Sequence, residues 1–157
     1  GSAALSGLDP AALEPTLVAL RQAAVGYDAT LLDLGAGVER GVRRLAAFAD
    51  RLLVVATEEP TSLTDAYAVL KLHAADRAAG DARILVNQAA TPASGQRSYA
   101  ALHRACTGFL KRDPPLAGIV RRDDHVREAI RRQALLLTRH PGCAAAQDIE
   151  VVAGGLM

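Results

Sequence analysis

Lysine, aromatic residues, cysteine and long apolar runs are all scarce in this chain of 157 residues, and each scarcity excludes something. Two lysines, Lys71 and Lys111, stand against 16 arginines, and no G-K-[ST] occurs. A glycine-rich lysine loop of the kind that cradles a triphosphate is therefore not in the sequence. Aromatics make up 3 %, so leucine, valine and alanine must build the core. Cys106 and Cys143 share no CxxC spacing and read as buried or idle thiols, which suits a reducing, cytoplasmic setting. The four histidines, at 73, 103, 125 and 140, are scattered without a metal spacing. GxSxG and HExxH are missing too, so a self-contained hydrolase or metalloenzyme finds no support. No apolar run approaches the ~18–20 residues of a membrane span. The formal charge of +1 gives no global field for nucleic acid. The start, GSAALSGLDP, lacks the charged and apolar regions of a signal peptide, and its Gly-Ser reads as a tag remnant or as the opening of a piece of something longer.

What is present is an alternation of helical periods with short β-rich runs. DPAALEPTLVALRQAA predicts a helix capped by Asp9, with Pro10 in its first turn and Leu13, Leu17 and Leu20 on one face. ATLLDL predicts a buried strand ending at Asp33. VERGVRRLAAFA predicts a helix. RLLVVAT is a second apolar run, too short for a helix. SLTDAYAVLKLHAADRAAG is the clearest helical pattern, with Ser62 as cap and Asp65 completing a capping box. ARILVNQ predicts a third strand, ATPASG a loop, and QRSYAALHRACTGFLKR a helix with Tyr99, Leu102, Cys106 and Phe109 facing inward. LAGIV predicts a fourth strand, DDHVREAIRRQALLL a helix, and the last residues another. Such alternation, with wholly apolar strands, predicts one α/β domain over residues 1–157: a parallel twisted sheet with helices on both faces. Ligands then sit beyond the carboxyl ends of the strands.

The candidate residues lie at those ends. Asp33 can hold magnesium directly or through water, and Gly35 and Gly37 let the backbone approach a phosphate and rearrange; a plain strand end with a flexible turn explains them as well. TEEPTSLTD joins a strand end to a helix start, but Glu58 and Glu59 would repel an anion, so it suits helix capping or a protein contact. Asn87 offers a donor and an acceptor to a purine edge, or simply forms a turn. Arg121, Arg122, Arg127, Arg131, Arg132 and Arg139 form the one marked charge concentration; with Asp123, Asp124 and Glu128 interleaved they read as a solvated face.

Taken together, YDATLLDLGAG, LLVVATEEPTSLTDAYAVLKL, ILVNQ and VRRDDHVREAI resemble, in order and spacing, the carboxyl-terminal two-thirds of the MinD/ParA group of deviant P-loop ATPases. The nearest branch is similar to FlhG (FleN or YlxH), regulators of flagellar number and placement. The resemblance implies that Asp33 is the acid of the second switch, near magnesium and the γ-phosphate, and that Gly35 and Gly37 belong to that switch. It implies that Asn87 meets the adenine, that Arg121 to Asp124 closes the base side, and that the stretch from Glu59 to Asp65 lies by the surface that changes with nucleotide and dimer state. Departures are the missing lysine loop, Arg121 and Glu58 where proline is common, and a last segment, DIEVVAGGLM, without the basic residues of a lipid-binding helix.

The expectation is thus the carboxyl-terminal part of an ATP- and magnesium-dependent dimerisation switch. Its parent would be an ATPase with a regulatory protein partner, acting without specific nucleic acid or a membrane anchor. This chain alone is expected to be inactive and to bind no nucleotide. A non-catalytic interaction domain that has lost its phosphate loop is the alternative. A receiver-type signalling domain would need an earlier acidic pair and a later lysine, and neither occurs. Raw strand edges left by a missing front strand predict a homodimer or swapped oligomer.

Overall fold

The structure, a computed structural model, describes residues 10–156, and side chains from residue 14 onward. Helix α1 spans Pro10–Ala24 and α2 Arg40–Phe48; the expected cap at Asp9 and the Leu13 side chain lie outside what is described. Then come β1 (Arg51–Ala56), α3 (Pro60–Asp76), β2 (Asp81–Ala89) and α4 (Pro92–Ala105), which widens into a π-helical turn at Cys106–Leu110. Strand β3 (Leu116–Arg121), α5 (Asp124–Arg131), the short α6 (Leu136–Arg139) and α7 (Ala144–Leu156) complete it.

The sheet has three parallel strands in the order β1-β2-β3. Its register starts with Arg51 opposite Asp81, and their side chains also pair, Arg51 Nε donating to Asp81 Oδ2 at 2.8 Å. Arg83 joins the same carboxylate, which fixes the amino end of the sheet. One face of the sheet carries Val54, Ala56, Ile84 and Val86 into a core with Ala66 and Leu70 of α3 and Leu102 and Cys106 of α4. The other face carries Leu85 and Val120 against Ala145, Ile149 and Val152 of α7. Two glycines set how closely the helices approach. A Cβ on Gly95 of α4 would stand 2.6 Å from Ile119 Cγ2, and one on Gly118 of β3 would stand 2.4 Å from Val152 Cγ2. Both faces are thus covered by helices as predicted, but α7 packs mainly on β3, meets β1 through the Arg51 guanidinium, which donates to Leu156 O, and leaves Val55 of β1 53 % exposed.

Five expectations are corrected. The run ATLLDL is not a strand: residues 29–35 carry no regular secondary structure and pair with no strand among the described residues. It keeps the period of two, with Leu32 and Leu34 half-buried and Leu31 94 % exposed, so it has the side-chain pattern of a strand without the ladder that defines one. Ser62 does not cap α3. That helix begins two residues earlier at Pro60, whose fixed φ suits a first turn, and Ser62 Oγ instead accepts from Thr57 N at 2.9 Å. ATPASG is largely helix: Thr91 and Ser94 make a reciprocal capping box and Pro92 enters the first turn. The helix over residues 123–137 is broken at Gln133 (φ +49), and Phe109 is 81 % exposed because the π turn rotates it off the inward face.

Candidate functional site

Each strand ends in a turn that feeds the next helix, and these turns gather at one end of the parallel sheet. The ends of β1 and β2 are strapped together by Glu58, whose Oε2 accepts from Ala90 N at 3.1 Å. Its Oε1 is buried with no hydrogen-bond partner among the described residues. The carboxyl is held below its ordinary range, first by the Ser94 hydroxyl beside it and then by the Ala90 N–H, with Arg122 and Arg97 adding attraction.

Asn87 lies where the register of β2 against β3 slips, between Val86 and Ala89. Its Oδ1 accepts from Gln88 N at 2.9 Å, which supports the left-handed conformation of Gln88 (φ +56). The acceptor of the carboxamide is therefore used locally. Arg122 N reaches back to Ala89 O at 2.8 Å and joins this turn to the one after β3.

In that next turn the Arg121 guanidinium is folded onto α7. Nε donates to Asp148 Oδ2 and Nη2 to Asp148 Oδ1, both at 2.8 Å, and Arg121 N adds a bond to Oδ2 at 3.0 Å. This charge-assisted fork holds Asp148 below its ordinary carboxyl range. Asp123 caps α5, with Oδ1 accepting from His125 N at 3.0 Å and pairing with His125 Nδ1 at 2.8 Å, while Oδ2 accepts from Ala145 N at 3.3 Å. Those bonds, the His125 N–H foremost, keep Asp123 far below its usual range. The turn is thus braced against α7 by two carboxylates. An aspartate directly before a helix is a legible cap, but the Arg121–Asp148 pair spans 27 residues and no local pattern announces it. The rest of the arginine cluster is solvated or paired to Glu128, which also meets Arg139 and His140.

Asp33 stands apart from this network, exposed on the unpaired run and without a hydrogen bond or ion pair among the described residues. Gly35 is half-buried, and Gly37 has φ +136, a conformation that favours glycine; the Glu39 carboxylate would stand 2.3 Å from a Cβ placed there. A free carboxylate suits a hard cation such as magnesium. No lysine stands at the strand ends to compensate a triphosphate, since Lys71 lies on α3 and Lys111 Nζ donates to Gly108 O after the π turn. The structure brings Glu58, Asn87 and Arg121–Asp123 into one linked set of turns, and it leaves Asp33, Gly35 and Gly37 on a separate segment.

Comparison with known proteins follows the same lines. Residues 9–156 match the family model described as Cellulose biosynthesis protein BcsQ. Over 126 residues the chain is 32 % identical to the antiactivator FleN of Pseudomonas aeruginosa, covering 80 % of this chain and 45 % of FleN. It is 24 % identical over 131 residues to the flagellum site-determining protein YlxH of Helicobacter pylori, covering 83 % of this chain and 44 % of YlxH. The chain spans about half the length of these curated relatives. Among solved structures, the MinD cell division protein of Aquifex aeolicus superposes with a TM-score of 0.74 at 22 % identity, over 96 % of this chain and 61 % of that one. MinD of Pyrococcus horikoshii, complexed with Mg-ADP, superposes with 0.70 at 19 % identity, over 94 % and 56 %.

Proposed function

Because the chain belongs to the BcsQ family and is of the MinD/ParA type, close to the FlhG/FleN branch, we propose that it is the carboxyl-terminal segment of an ATP-dependent dimerisation switch regulating flagellar number or placement. The observation that carries this reading is the free Asp33 carboxylate followed by Gly35 and by Gly37 at φ +136, in a chain whose fold is that of MinD. Bound ATP and magnesium would supply the cleavable phosphoanhydride and its counter-charge. Asp33 would be the residue that holds the magnesium, directly or through water, and Gly35 and Gly37 would let the segment change conformation with the state of the nucleotide. Asn87, whose oxygen accepts from Gln88 N, would present its amide NH2 to the purine edge, and the braced turn from Arg121 to Asp124 would close the base side. In this role Arg121 acts through its backbone, because its side chain is committed to Asp148.

Self-association is part of the reading. The outer edge of β1 has no partner strand among the described residues, and Val55 of β1 and Leu31 of the unpaired run are exposed apolar residues. Light scattering is expected to give a dimer or swapped oligomer, and a monomer at high concentration counts against it. A regulatory protein is the second expected partner of the parent. No helix among the described residues is long and apolar enough to cross a membrane.

Calorimetry tests the nucleotide reading. This chain alone is expected to give no heat with Mg-ATP, whereas the full product of its gene binds it, and Asp33→Asn in that product lowers turnover by ~100-fold with binding retained. Tight Mg-ATP binding by this chain alone overturns the assignment. A full product that binds no ATP favours the second reading, a non-catalytic interaction domain, which is the one the commitment of Arg121 to Asp148 favours.

A further inference from the structure

Two turns that sequence spacing keeps apart meet at the start of α7. Asp123 and His125 come from the beginning of α5, and Cys143 from the residue before α7. One potential ligand atom of each lies within 4.8 Å of the others. Asp123 Oδ1 and His125 Nδ1 are 2.8 Å apart, and the Cys143 sulfur lies beside the same carboxylate. A second imidazole is adjacent, since the His125 and His140 rings have centroids 4.5 Å apart. The Asp123 side chain is 11 % exposed and that of His125 54 %, so the group has a sheltered floor and an open mouth.

We propose that Asp123, His125 and Cys143 form a site for one borderline divalent transition cation of the zinc class. A thiolate, an imidazole and a carboxylate are the donor set such ions prefer, whereas magnesium and calcium take oxygen alone. Zinc bonds of ~2.0–2.3 Å place tetrahedral ligands roughly 3.3–3.8 Å apart. Asp123 Oδ1 and His125 Nδ1, at 2.8 Å, therefore need to part by about 0.5 Å, and the Cys143 sulfur to close by up to about 1 Å, within reach of an exposed His125 ring and a half-buried Cys143 in a turn. Two helix starts point at this place and disfavour a bare cation. They equally favour the ionised carboxylate and the thiolate, the forms that bind metal. On binding, the Cys143 proton leaves to solvent, and the fourth position is filled by water. The ion would join the start of α5 to the start of α7 and pin the turn from Arg121 to Asp124. It is separate from magnesium at Asp33 and does not depend on the nucleotide reading.

The test uses the untagged chain, stripped with chelator, titrated with zinc by calorimetry and with cobalt(II) as a visible probe. One zinc per chain and a thiolate-to-cobalt charge-transfer band are expected. Cys143→Ala removes that band. His125→Ala weakens zinc by ~10-fold or more, since even outer partners of metal ligands are worth that much, and His103→Ala changes neither. Circular dichroism checks that the variants fold, and if one does not, the cobalt spectrum of the parent decides. Substoichiometric zinc, a cobalt spectrum without the thiolate band, or variants that bind like the parent overturn the proposal.

Discussion

The runs Thr30–Leu34 and Arg51–Ala56 are close in composition and both read as buried strands. The second is β1, hydrogen-bonded along its length to β2 with Val54 and Ala56 in the core. The first has an alternating burial pattern and no partner strand among the described residues, and Leu31 points into solvent. The difference between them is not propensity but the presence of a neighbouring edge, because a strand is stabilised by its ladder and its cross-strand side chains rather than by its own residues. A segment with strand character and no ladder is also one that a change of surroundings can order, which is what a nucleotide-dependent switch requires.

Substitutions can break this comparison. The largest contrast is expected between Val86→Asp and Leu31→Asp. The first buries an unpaired charge in the fully covered centre of β2 and costs upwards of ~3 kcal/mol. The second changes stability by less than ~0.5 kcal/mol. Urea unfolding of both variants checks it, and a severe loss from Leu31→Asp would show that the first run is packed in solution. Glycines give the next contrast. Gly118→Ala is expected to cost ~1–3 kcal/mol because Val152 must move. Gly26→Ala, with nothing near its Cβ direction, is neutral or slightly stabilising; thermal melts compare the two.

Acid should loosen the ordered region by smaller steps. His73 is buried, and its pKa is lowered by desolvation first and by Arg77 second. The unfolded chain therefore binds the His73 proton more readily, and stability falls as pH drops below its ordinary 6.5 and keeps falling to the depressed folded value. Glu128 is held at about 2 by Arg139, and then by His140. Its contribution is full above its ordinary 4.5 and is lost as pH falls through about 2. Melting temperatures recorded from pH 8 to pH 3 should decline first below 6.5, and Glu128→Gln should flatten only the lower part of the curve.

Much of the fold was legible because the apolar runs RLLVVA, ARILV and LAGIV carry their own signal and do find partners. Thr91 and Ser94 were not legible as a capping box because the third position is serine where glutamate is usual. Asn87 and Asp33 could be placed at chain turns by spacing alone. The braces that shape the site could not be, since Glu58 to Ala90 spans 32 residues and Arg121 to Asp148 spans 27. The Asp123–His125–Cys143 group was hidden for the same reason: Cys143 joins the other two only when α7 packs on β3.

Hydrogen–deuterium exchange on the full gene product, with ADP and then with non-hydrolysable ATP and magnesium, tests the central claim most directly. Amides over residues 30–37 are expected to exchange quickly in this chain alone, and to gain protection with the triphosphate but not the diphosphate, while β1 stays protected throughout. Equal protection of residues 30–37 in every nucleotide state would contradict their role as a switch.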